Sequence, residues 1–182
     1  MKTFKQHINE VWLNRIGKSS KEASVSSNTK YNSPNDYKKD SEKVGEVGGL
    51  HVYRSGNTHF TWHPEDKLIH HVVHAVERSE TPSGASRYKY LSAHARQGSP
   101  VKMGDVYSHL VKNHNAEFVA TGHSPGAQKM WSRFRQDPEL KLSHETGAAV
   151  GKDENVYAAH DTKDPEEKKI GRKSIILGKA ET

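Results

Sequence analysis

From Leu50 onward, apolar and polar residues alternate with a period of two. Leu50-His51-Val52-Tyr53-Arg54 reads as a strand, Ser55-Gly56-Asn57 as a turn, and Thr58-His59-Phe60-Thr61-Trp62 as a second strand. After a turn at His63-Pro64-Glu65-Asp66, the run from Lys67 to Glu77 is rich in β-branched residues and reads as a third, longer strand. These elements predict an antiparallel meander. Thr81-Pro82-Ser83-Gly84 is a loop, and Tyr88 to Ala95 a fourth strand.

The period then changes. Ser99-Pro100 has the chemistry of a helix cap followed by a first helical residue. Val101, Val106, Leu110 and Val111 continue with approximate helical spacing to about Asn113. Glu117 to Thr121 reads as a short buried strand. Ser124-Pro125 repeats the cap-and-proline pattern, and Ala127, Met130, Trp131 and Phe134 line one helical face until Asp137-Pro138 stops it. Leu140 to His144, Asn155 to His160 and Ser174 to Lys179 are candidate closing strands. Asp161 to Arg172 is a charged loop in which Glu166-Glu167-Lys168-Lys169 reads as a solvated face. The expected class is α+β, with a central, mostly antiparallel sheet and a strand–helix–strand–helix core.

The first residues follow another pattern. Phe4, Ile8, Val11 and Trp12 fall at helical spacing and form a short amphipathic start. Residues 17–47 are rich in Ser, Lys, Asn and Asp and nearly free of large aliphatics. Such a stretch buries too little apolar surface to offset its ordering entropy. The expected division is a targeting or docking peptide over 1–16, a disordered polar linker over 17–47 ending at Gly48-Gly49, and a globular domain over 48–182. A hydrophobic content of 32% and a mean hydropathy of −0.94 agree with part of the chain lying outside a core.

The net charge of +6 favours acidic partners such as nucleic acid. Lys129, Arg133, Arg135, Arg96 and Lys102 could contact DNA phosphates, or could simply be the solvent face of a helix and a loop. No apolar run approaches the roughly 20 residues that span a bilayer, so no membrane partner is expected. The start lacks the apolar centre of a secretory signal. With no cysteine, disulfides and thiolate metal sites are excluded. There are 13 histidines. His70, His71 and His74 invite a metal reading, but on a strand His71 faces away from the other two, so no metal site is expected. Gly122-His123-Ser124-Pro125-Gly126 misses the nucleophile-elbow register, and no Walker loop occurs.

The element order and the stretch from His123 to Phe134 resemble the acyl-CoA-binding N-acetyltransferases of the GNAT superfamily, over roughly Leu50 to His160. Phe118-Val119-Ala120-Thr121 matches the family's short strand, and Ala127-Gln128-Lys129-Met130-Trp131 its Ala-x-x-aliphatic-aromatic helix. The resemblance implies acetyl-CoA as cofactor. Its phosphates would be held near Arg96, Gly98, Ser99 and Lys102, with Ser124 at the second helix. Arg96-Gln97-Gly98-Ser99-Pro100-Val101 departs from the family's glycine spacing, and proline removes an N–H donor. Trp131 stands where the family has a tyrosine that protonates the departing thiolate. Indole serves poorly as an acid. The resemblance puts the substrate cleft near the ends of the central strands, making His94 or Glu117 the base.

Met1-Lys2-Thr3-Phe4 and Ile8-Asn9-Glu10 resemble the capsid-targeting sequence of internal head proteins of large contractile-tailed phages, which a prohead protease cuts after Leu/Ile-x-Glu. The resemblance implies processing at Ile8 and Glu10, head and other virion proteins as partners, and a location in the virion and then the host cytoplasm. The first expectation is a head-targeted virion protein with a divergent acetyltransferase-like domain. The alternatives are an active acetyl-CoA-dependent enzyme and a basic nucleic-acid-binding accessory protein.

Overall fold

The computed structural model describes residues 28–120, 125–151, 154 and 174–180. The elements are α1 (Pro34–Tyr37), β1 (Glu42–Val47), β2 (Leu50–Ser55), β3 (Thr58–Trp62), β4 (Ile69–Glu80), β5 (Ser86–Ala95), α2 (Met103–His114), β6 (Ala116–Ala120), α3 (Pro125–Phe134), β7 (Leu140–His144) and β8 (Ile175–Lys179). The eight strands form one sheet in the order β1-β2-β3-β4-β5-β6-β8-β7. The class is α+β with a mostly antiparallel sheet. Two compact units divide the described residues. One holds those up to His74 with Ser92–Pro100, the other Ala75–Leu91 with those from Val101 on.

In the first unit β1 to β4 are antiparallel neighbours, with Tyr53 opposite Phe60 and Phe60 opposite Val72. The pleat puts Phe60, Trp62, Ile69 and Val72 into one buried cluster, against which Tyr31, Tyr37 and Tyr53 pack. The Tyr37 ring meets Phe60 edge-on at 4.9 Å, and Tyr53 stacks on Phe60 at 5.5 Å. Leu50, Val52, Thr61, His71 and Val73 are also buried.

The expectation of a disordered linker over 17–47 is corrected from residue 28 on. Two tyrosines supply the apolar area that composition alone conceals. Asp36 closes the α1 turn by accepting the Ser33 N–H at 2.8 Å. β1 is held by main-chain pairing to β2 rather than by aliphatic side chains. Gly48 and Gly49, with φ of 52° and 81°, are not the end of a linker but the centre of a two-residue hairpin turn. Such a left-handed pair matches the twist of the flanking strands. Residues 17–27, the peptide over 1–16 with Ile8 and Glu10, the strand expected at Asn155–His160 and the loop at Asp161–Arg172 lie outside the described residues.

In the second unit β5 and β6 run parallel, from Ser86–Ala116 to Lys89–Val119. Parallel neighbours need a crossover connection, and α2 lies within it. Val106, Tyr107, Leu110 and Val111 form its buried face. Tyr107 meets Phe118 edge-on at 4.7 Å, and Tyr88 stacks on Phe118 at 5.4 Å. From α3, Trp131 and Phe134 reach the Tyr107 ring at 6.5 and 6.3 Å. The helices approach closely because α2 carries Gly104. A Cβ there would come within 3.3 Å of Met130 Cγ. β8 lies between β6 and β7 and is antiparallel to both, so Leu177 faces Phe118 and Leu142.

α2 starts later than Ser99-Pro100. Its cap position is Lys102, whose N–H is accepted by Asp105 at 3.2 Å. The reason is that the Ser99 side chain has another partner, described below. The helix ends at Asn115, whose φ of 48° is the left-handed conformation common after a last turn. α3 does start at Pro125, whereas Ser124 lies outside the described residues.

Candidate functional site

The residues expected to hold a cofactor phosphate begin in the turn after β5. There Ser99 N–H donates to Arg96 O at 3.2 Å, and Gly98 has a φ of 77° that disfavours any side chain. The turn is fastened to the start of β4. Arg96 N–H donates to His70 O at 2.7 Å, and Arg96 Nε to Ile69 O at 2.9 Å. Arg96 Nη1 lies 3.4 Å from Asn28 Oδ1. Arg96 thus braces the backbone, and the Ser99 amide is taken by the turn itself. Lys102 is exposed and belongs to the second unit. Of the expected cofactor-binding residues, the structure therefore places Arg96, Gly98 and Ser99 together.

It adds two residues that the sequence reading did not assign to the site. His70 is 5% exposed, with Nδ1 3.3 Å from Ser99 Oγ and Nε2 2.9 Å from Asp66 Oδ2. Its placement follows from a register shift. Thr61 faces His71 while Trp62 faces Ile69, so His70 is the extra residue of a bulge. Bulges re-aim a side chain away from the regular pleat. Asp66 is fixed in turn: Oδ1 accepts the Leu68 N–H at 2.8 Å, and its own N–H donates to His63 Nδ1 at 3.3 Å. No sequence signal joins positions 66, 70 and 99; only the strand register does.

Partial burial raises the Asp66 pKa. The His70 hydrogen bond, the Leu68 N–H and the charges of His70 and His63 outweigh that effect, so the carboxyl titrates below its ordinary value. Asp137 behaves alike: burial raises it, but Lys112 at 2.8 Å and the Glu139 N–H bring it below its ordinary value. A carboxyl depressed in the folded chain stabilises it above the unfolded pKa of about 3.9. That contribution is lost as pH falls through the folded values. The thermal midpoint is therefore expected to hold from neutral pH to about 5 and to fall below about 4. Asp66→Asn with Asp137→Asn should flatten that fall, as a pH series of melts would show.

The other histidines of the trio have separate partners. Thr61 Oγ1 lies 2.8 Å from His71 Nδ1, and Thr58 Oγ1 2.9 Å from His74 Nδ1. Among the described residues, no group of three His, Asp or Glu side chains is placed to hold a metal ion.

The expected catalytic residues are dispersed. His94 Nε2 lies 3.1 Å from Ser92 Oγ in the first unit. Glu117 belongs to the second, where Oε2 accepts from Arg87 Nε at 2.7 Å across the β5–β6 pair. Trp131 is 2% exposed, a core residue with its ring 5.7 Å from Phe134. In the expected basic patch, Lys129 and Arg133 are exposed, whereas Arg135 Nη2 donates to Glu154 O at 2.6 Å. No helix among the described residues is long and apolar enough to cross a membrane.

Compared with protein-family models, curated proteins and solved structures, the chain matches none.

Proposed function

We propose that this chain is a head-targeted bacteriophage virion protein whose folded part is a divergent acetyltransferase-like domain that has lost acetyl transfer. The observation that carries the domain reading is the parallel β5–β6 pair with α2 between its strands and α3 following β6. That is the strand–helix–strand–helix order of the family resemblance. The ladder stops at Lys89–Val119, and the next β5 residue, Tyr90, is exposed with a φ of 56°. A bulky residue in that conformation is an outlier that breaks regular pairing.

Loss of turnover is supported by the residues that would perform it. Trp131 is buried and poorly suited as an acid, and Arg96 is tied to backbone carbonyls. The targeting half of the proposal rests on Met1 to Glu10 and on the net charge of +6, which suits packaging beside DNA. The test is incubation of the full chain with acetyl-CoA and lysine-containing peptides, following free thiol. No release of CoA above the uncatalysed rate is expected. Sustained release would overturn the loss of activity and favour the active enzyme.

A further inference from the structure

We propose that Ser99 is a nucleophile served by His70 as general base, with Asp66 positioning the imidazole, and that the site takes activated acyl esters. The three residues come from separate places in the first unit: the turn after β3, the bulge opening β4 and the turn after β5. They nonetheless form one chain of contacts, Asp66 Oδ2 to His70 Nε2 at 2.9 Å and His70 Nδ1 to Ser99 Oγ at 3.3 Å. A nucleophile within reach of a base that a third group orients is the general signature of covalent catalysis, and unrelated folds have arrived at it. The outer contact is slightly long, as is common without a bound substrate.

The hydrogen-bond roles agree. An ionised Asp66 can only accept, so Nε2 of a neutral His70 carries the proton and donates it. Nδ1 then presents a lone pair to the Ser99 hydroxyl. Ring nitrogens are chemically alike in this respect, so using Nδ1 as the base changes nothing in principle. Asp66 is held from both sides by the Leu68 N–H and by His63, whose ring centre is 5.7 Å from that of His70. The Arg96 N–H on His70 O ties the serine-bearing turn to the strand that carries the base.

The step balances without a cofactor. Ser99 Oγ attacks the ester carbonyl carbon, and its proton passes to His70 Nδ1. The carbonyl re-forms as the C–O bond to the alcohol breaks, and the alcohol leaves with the proton from Nδ1. Water then attacks the Ser99 ester by the same route. It gives its proton to Nδ1, which returns it to Ser99 Oγ as the acid departs.

The full chain is treated with p-nitrophenyl acetate and, separately, with a fluorophosphonate probe, and adducts are located by peptide mass spectrometry. An adduct on Ser99 is expected, and Ser99→Ala abolishes it. Asp66→Asn, with an unchanged circular-dichroism spectrum, slows labelling on the order of 100-fold. In the unmodified chain labelling rises with pH across one protonation step. The groups facing His70 in that step are Asp66, Ser99 and His63. An untouched Ser99 in the folded chain would overturn the proposal. So would equal labelling of Asp66→Asn or a flat pH profile, either of which makes the three residues a structural clamp on the turn. Should Asp66→Asn not fold, the adduct site and the pH profile of the unmodified chain decide alone.

Discussion

Phe118→Ala is expected to cost about 3–5 kcal/mol of stability, the range for emptying a large aromatic from a packed core. Phe118 is 0% exposed at the centre of β6. Its ring is stacked by Tyr88 from β5 and met edge-on by Tyr107 from α2. Leu177 of β8 lies opposite it in the ladder. Rings from two other elements, Tyr88 and Tyr107, thus lose their partner at once. Domains are typically stable by about 5–15 kcal/mol, so a fall of this size leaves little margin. Urea unfolding followed by circular dichroism measures it, as a lower midpoint at unchanged slope. A loss below about 1 kcal/mol would show that Phe118 is not the keystone of this unit.

Trp131 carries the second large effect, and it bears on function. Trp131→Ala should cost about 3–5 kcal/mol, because the indole fills the space between α2 and α3. Trp131→Tyr asks a different question. It places a phenol where the acetyltransferase resemblance has one, at a position 2% exposed. A hydroxyl buried there without a partner costs about 1–3 kcal/mol. The variant is expected to be less stable and to release no CoA from acetyl-CoA. A stable Tyr variant that releases CoA would place the ring at a live catalytic position. Wild-type stability in Trp131→Ala would remove it from the core.

Much of the sheet was legible in the chain because its strands alternate or cluster β-branched residues. Thr58–Trp62 and Leu140–His144 have the expected bounds, the other expected strands within the described residues shift by a few residues, and Asn155–His160 lies outside them. The stripe of Met130, Trp131 and Phe134 likewise announced α3. Two parts were hidden for different reasons. β1 has the sequence Glu-Lys-Val-Gly-Glu-Val and is an edge strand that the β2 backbone holds. Half of its positions are exposed and none is buried, so hydropathy reads it as linker. The α2 start was misplaced because Ser99 and Pro100 carry the composition of a cap. The Ser99 hydroxyl in fact lies against His70, 29 positions earlier in the chain.

The candidate site was only partly legible, for the same physical reason. Ser99, Gly98 and Arg96 were singled out from a loop pattern, and they are together. Their partners Asp66 and His70 depend on one extra residue in the β3–β4 register, which shifts His70 out of the regular pleat. A bulge of that kind has no compositional mark. His94 and Glu117 were chosen by position near strand ends, and each is occupied by a neighbour on the sheet, Ser92 and Arg87. The tyrosines at 31 and 37 were readable as aromatic residues in a polar stretch, but not as part of an aromatic cluster.

The central claim is that the opening decapeptide is an address, removed once it has been used. Mass spectrometry of the protein taken from purified phage particles tests it most directly. The expected virion form has Val11 as its first residue, following the Ile8-Asn9-Glu10 motif. A chain absent from the particles, or present only with Met1 to Glu10 intact, would contradict it.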